Sequence, residues 1–264
     1  MGQRSLDIAA TGMQAQQTYV DVTSQNLANI NTTAYKLQRP EFEDLIYQNQ
    51  RAVGSNSSDN GTIVPTGIQL GTGVRLAAID RNMSQGTLQQ TSAPLDMAIQ
   101  GSGFFQITMP DGSTAYTRAG GFQVGPDGSI VTSDGFQLTP TITIPQNATS
   151  ISIDQSGEVS ATIPLQTTPQ ILGTIQTVNF INPAGMQALG NNLFAETAAS
   201  ASPIIGTPGL DGFGTIIQGF LETSNVNPVT ELTNLIKAQR VYEMNSKIVT
   251  ASDQMMQALN QSVV

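Results

Sequence analysis

SLDIAATGMQAQQTYVDVTSQNLANI, residues 5–30, decides the fold of this chain. The stretch has no proline and one glycine, Gly12, while Leu6, Met13, Val20 and Leu27 recur at sevens. Such a repeat lays a narrow apolar stripe along a helix that supercoils against a partner. At 1.5 Å per residue the helix is about 40 Å long. Its remaining faces carry Gln14, Gln16, Gln17, Thr18, Ser24, Gln25 and Asn26, and its only charges are Asp7 and Asp21. Solvated coiled-coil surfaces favour Glu and Lys, so neutral faces of this kind suit packing against copies of the same helix.

The far end of the chain repeats the design. Asn227-Pro228 reads as an N-cap followed by proline in the first helical position, where its missing N–H costs nothing. Beyond it Leu235, Tyr242, Val249, Met256 and Val263 fall at sevens, and Leu232, Ile236, Ile248, Met255 and Leu259 widen the stripe. Each large side chain buried in such a seam contributes about 1.5–3 kcal/mol. Periodicity alone leaves two readings open: a helical hairpin buried by the chain's own middle, or a self-assembling surface.

Between about residue 40 and residue 225 the helical period gives way to Val, Ile, Thr and Phe alternating with polar residues. Asp-Gly occurs at 111–112, 127–128, 134–135 and 211–212, a strong hairpin signal because glycine tolerates positive φ. Phe105-Gln106-Ile107, Phe122-Gln123-Val124 and Phe136-Gln137-Leu138 each place an aromatic and an aliphatic residue on one strand face. Residues 48–73 and 195–209 read as loops. The expected fold is α+β: terminal helices paired as a coiled-coil-like hairpin, a mainly antiparallel β middle and an extended linker. Its segments are residues 1–34, 35–92, 93–225 and 226–264.

Composition narrows the chemistry. Charged residues make up 11% of the 264-residue chain, less than half the ~25% usual in soluble proteins. The two ends are each neutral, so the net charge of −9 lies between residues 37 and 224, where five arginines face fourteen carboxylates. An acidic middle argues against nucleic acid and anionic membrane, which need clustered Lys or Arg. Cysteine and histidine are both absent, which removes thiolate sites and the commonest general base and metal ligand. Gly101-Ser102-Gly103 lacks the rest of a phosphate loop, and Lys36, Lys237 and Lys247 lie in or beside the terminal helices. Neither an enzyme nor a cofactor is expected. No segment reads as a signal peptide or a membrane span.

Ser24-Gln25-Asn26-Leu27-Ala28-Asn29-Ile30-Asn31-Thr32-Thr33-Ala34-Tyr35-Lys36 resembles the signature of flagellar rod and hook proteins. Gln25 and Ala34 depart from the pattern, which more often has Asn and Gly there. Gly101-Ser102-Gly103-Phe104-Phe105 and Tyr116-Thr117-Arg118-Ala119-Gly120 resemble the family's β domain. Glu222-Thr223-Ser224-Asn225-Val226-Asn227 and Gln239-Arg240-Val241-Tyr242-Glu243 resemble its C-terminal signature. The 48–73 stretch, with Pro65-Thr66-Gly67-Ile68-Gln69-Leu70-Gly71-Thr72-Gly73-Val74, is similar to the segment that sets the distal rod apart from the hook.

The resemblance implies a structural subunit of a helical tube that crosses the periplasm, transmits torque and encloses an export channel. Its implied partners are copies of itself, proximal rod proteins, hook or hook-junction proteins, the P-ring and L-ring proteins and the flagellar type III export apparatus. Export without a cleavable signal peptide goes with it. The signature residues are Asn26, Leu27, Ala28, Asn29, Tyr35, Lys36, Ser224, Asn225 and Arg240. The rival readings are a proximal rod or short hook paralogue, a secreted β-module binding glycan or a surface partner, and a cell-wall hydrolase.

Overall fold

A computed structural model describes residues 2–54, 66–164, 166 and 168–262; Val263 and positions 55–65 of the 48–73 stretch lie outside them. The chain divides into two compact units, one of Met1–Ala28, Gln38–Asp80 and Asn227–Val264, the other of Asn29–Leu37 and Arg81–Val226.

The first unit holds both helices, α1 (Gly2–Ala28) and α2 (Pro228–Ser262). The Asn227 side-chain oxygen accepts from the backbone N–H of Val229 at 3.0 Å and of Thr230 at 3.3 Å, satisfying donors that the first helical turn leaves open. An antiparallel ribbon accompanies them, with β1 (Gln38–Asp44) paired to β4 (Val74–Arg81) and β2 (Gln48–Arg51) to β3 (Ile68–Leu70). The ends of the glycine- and serine-rich 48–73 stretch are therefore paired strands. Tyr19 of α1 and Phe42 of β1 bring their ring centroids within 6.5 Å.

The second unit is β. It begins with β5 (Leu88–Gln90), β6 (Met97–Gln100), β7 (Phe104–Thr108) and β8 (Thr114–Thr117). β9 (Phe122–Val124), β10 (Ile130–Thr132), β11 (Gln137–Thr139), β12 (Ser150–Ile153) and β13 (Glu158–Thr162) follow. Next come β14 (Gln170–Thr174), β15 (Thr177–Asn179), β16 (Gln187–Gly190) and β17 (Leu193–Ala195). β18 (Ile204–Gly206), β19 (Thr215–Gln218) and β20 (Phe220–Glu222) complete it. The main sheet runs β16-β17-β8-β7-β11-β10-β9, and β15 pairs with both β7 and β18. β12, β13 and β14 form a second sheet, and β6–β19 and β5–β20 are separate pairs.

Strand alternation gives the main sheet a core on each face. Phe105 and Ile107 of β7 join one cluster with Met97, Ile99, Leu138 and Ile175, while the adjacent Phe104 joins Tyr116, Val178, Phe180 and Phe194 in another. The second cluster is tied by edge-to-face rings, the closest being Tyr116–Phe180 at 4.9 Å, a geometry that adds about 0.5–1.5 kcal/mol per pair.

Asp-Gly closes hairpins at 111–112, 127–128 and 134–135, joining β7–β8, β9–β10 and β10–β11. Asp211-Gly212 also forms a tight turn, Phe213 N–H donating to Leu210 at 2.8 Å, but β18 and β19 on either side of it pair with other strands. Phe122 is buried and Val124 exposed on β9, the last strand of the main sheet. One more expectation is corrected. Within 195–209, Ile204 and Ile205 form an edge strand on β15, as β-branched residues favour.

Candidate functional site

The contact between α1 and α2 runs along a heptad that hydropathy does not pick out. Ser5 Oγ lies 3.1 Å from Ser252 Oγ, a Cβ on Gly12 would sit 2.9 Å from Asn245 Nδ2, and Asn26 Nδ2 donates to Glu231 Oε2 at 3.0 Å. Each seven-residue step forward on α1 is a seven-residue step back on α2, the register of an antiparallel coiled coil. The residues at its centre are small or polar, and Ala9, Ala15, Val22, Thr23 and Ala238 are buried with them. Small side chains allow the two backbones to approach closely.

The apolar sevens lie beside this line. Leu6, Met13, Val20 and Leu27 sit one residue past Ser5, Gly12, Tyr19 and Asn26, about 100° around the helix, and are half-buried. Leu235, Val249 and Met256 are half-buried too, and Tyr242 is exposed. Further around α2, Val229, Leu232, Ile236, Met244, Ile248 and Met255 are all exposed, Met255 to 61%. The helix pair thus spends its polar and small residues on its own seam and leaves large apolar ones uncovered. Periodicity did not pick out Ser5, Gly12 and Asn26, because Ser, Gly and Asn carry no apolar signal. The signal that marks the seam is Ser5, Gly12 and Asn26 at multiples of seven, with Tyr19 of the same heptad turned to Phe42 of β1.

Two signature asparagines knot the chain near the places where it passes between units. Within the first unit Asn26 donates to Gln38 O at 2.8 Å and accepts from Gln38 N at 3.0 Å, besides its bond to Glu231. Within the second unit Asn225 accepts from Leu37 N at 2.7 Å and donates to Asn82 O at 2.9 Å and Ser84 O at 3.1 Å. Ser224 Oγ accepts from Val226 N at 3.3 Å. Asn29 closes the turn after α1, its carbonyl accepting from Thr32 N and its side chain from Thr32 Oγ1. Ala34, in place of the usual glycine, is buried with φ 58 and donates its N–H to Glu222 O at 2.8 Å. The left-handed turn is kept although the side chain disfavours it by roughly 1–2 kcal/mol.

Beneath Asn225 lies a buried ionic cluster. Lys36 Nζ reaches Glu222 Oε1 at 2.5 Å and Ser84 O at 2.8 Å. Gly86 N also donates to Glu222 Oε1, at 2.9 Å, and Arg118 Nε stands 3.5 Å from Glu222 Oε2. All three charged side chains are at least nine-tenths buried. Burial lowers the Lys36 pKa, the Glu222 carboxylate opposing it; burial likewise lowers that of Arg118. Isolated buried charges are costly, and these persist because they are paired. The cluster binds three segments of the second unit: 34–37, 84–86 and β20. Of the remaining signature residues, Tyr35 is half-buried, and Ala28 and Arg240 are exposed.

Residues 6–36 match the family model "Flagella basal body rod protein", 98–161 "Flagellar hook protein FlgE/F/G D1 domain", and 217–262 "Flagellar basal body rod FlgEFG protein C-terminal". The chain is 52% identical over 258 residues to the flagellar basal-body rod protein FlgG of Caulobacter vibrioides, covering 98% of each. It is 46% identical to the protein of the same name from Borreliella burgdorferi, covering 97% of each. Against the flagellar hook-basal body complex protein FlhP of Bacillus subtilis the identity is 31%, over 97% of this chain and 98% of that one.

Proposed function

Because the chain belongs to the flagellar basal-body rod protein family, we propose that it is the structural subunit of the distal rod, a helical tube acting as drive shaft. In this reading the terminal helices of successive copies pack around the export channel, and torque passes through packed side chains with no reactive group. Copies of the chain are the first partners. Proximal rod proteins adjoin one end, hook or hook-junction proteins the other, P- and L-ring proteins surround the shaft, and the type III export apparatus delivers each subunit. The distal position rests on the resemblance of the 48–73 stretch, with its run at 65–74, to the segment that separates distal rod from hook.

The observation that carries the proposal is the apolar surface left on the helix pair. Ile248 and Met255 are 47% and 61% exposed, seven residues apart on α2. Contiguous exposed apolar surface marks an association site, and each such side chain contributes about 1.5–3 kcal/mol when buried by a neighbour. Ile248→Asp with Met255→Asp therefore leaves the monomer's helical signal and melting transition unchanged but abolishes rods in a strain lacking the native chain. Rods in normal number on electron micrographs of that strain would sink the proposal.

A further inference from the structure

The ionic cluster of the second unit carries a surplus positive charge. Lys36 and Arg118 share one carboxylate, Glu222, with side-chain exposures of 1%, 5% and 1%, inside a chain whose net charge is −9. Arg118 is incompletely satisfied. One amino group donates to Gly101 O, and its guanidinium lies 5.7 Å from the Phe104 ring centroid. Its Nε and the facing Glu222 Oε2 are buried without a hydrogen-bond partner among the described residues. Arg118 is one of the residues lining a recess of about 250 Å³, together with Ser84, Gln85, Ser102 and Asn179. The recess lining contains no acidic side chain among the described residues.

We propose that this recess receives a carboxylate side chain from a second copy of the chain. One added negative charge neutralises the cluster, and the buried guanidinium supplies the charge-assisted hydrogen bonds that a carboxylate accepts best. The Ser84 and Ser102 hydroxyls and the Asn179 amide offer neutral donors around it. Copies present suitable acids: Asp111, Asp127 and Asp134 are exposed at hairpin turns. The choice of occupant rests on the assembly reading above. The recess itself does not.

Acetate serves as the probe, with chloride at equal ionic strength as the control. Titrating the full-length chain with acetate moves the Arg118 Nε–H resonance saturably, and chloride leaves it in place. Ser102→Glu, a change at an exposed rim position, supplies a tethered carboxylate and weakens acetate binding at least ~10-fold through like charge and occupancy. Absence of a saturable shift would overturn the site, as would an unchanged response in Ser102→Glu. Polymerisation followed by sedimentation then identifies the occupant: acetate lowers the polymerised fraction relative to chloride. Acetate binding with polymerisation untouched would overturn a second copy as the source of the acid. A chain that does not polymerise in chloride would overturn the assembly reading, and with it this occupant, while the titration still decides the recess.

Discussion

Replacing Asn26 by Ala removes the side chain that joins α1, β1 and α2 within the helical unit. Asn26 is 1% exposed and Glu231 6% exposed, so neither is rescued by water. Two neutral bonds to the Gln38 backbone are lost, at about 0.5–1.5 kcal/mol each, together with one bond to a carboxylate, at about 1.5–3 kcal/mol. Glu231 retains Asn234 at 3.3 Å, which softens the penalty of an orphaned charge. The net expected cost is about 3 kcal/mol, a factor of roughly 100 in the folding equilibrium. Denaturant unfolding of the monomer, followed by helical circular dichroism, measures it. The companion test is Asn26→Leu with Glu231→Leu, which removes the buried charge along with its partner. That double variant costs less than the two single leucine changes added together, with a coupling of about 1.5 kcal/mol or more. A loss under ~1 kcal/mol for Asn26→Ala, or strict additivity in the cycle, would refute the reasoning.

Three further outcomes follow from the same contacts. A Cβ on Gly86 would overlap the carbonyl oxygen of Thr223, so Gly86→Ala parts this segment from β20 and destabilises the β unit by about 2–3 kcal/mol, read as a lowered denaturation midpoint. Gly12→Ala has the opposite sign: the added methyl meets only the amide end of the half-buried Asn245, which can turn aside. The helix-propensity gain of up to ~1 kcal/mol therefore shows as a small rise in melting temperature. Lys36 has a folded pKa below the ordinary 10.5 because it is buried. Between those two values the unfolded chain holds the extra proton, so stability rises with pH; Lys36→Met removes that rise from a series of alkaline denaturation curves.

The terminal helices and the hairpins at 111–112, 127–128 and 134–135 were legible because both are local. A heptad and an Asp-Gly turn declare themselves within a few residues. What the sequence hid was pairing at long range. Lys36 and Glu222 are 186 positions apart, and nothing local marks either as a partner of the other, although both fall in signature blocks. Asn26 was recognised by resemblance, yet its bonds to Gln38 and Glu231 emerge only when three elements meet. Asp211-Gly212 shows the converse: the turn chemistry was right, but strand partners are chosen by the whole sheet. Ser5, Gly12 and Asn26 at the helix contact gave no apolar signal, because close approach favours small residues whereas hydropathy favours large ones.

Cryo-electron microscopy of purified flagellar basal bodies, with this chain traced in the axial density, tests the central claim most directly. The account predicts the chain between proximal rod and hook, with Ile248 and Met255 of each copy buried against neighbouring helices around the channel. A rod in which α2 leaves those residues facing solvent, or axial density built from other chains alone, would contradict it.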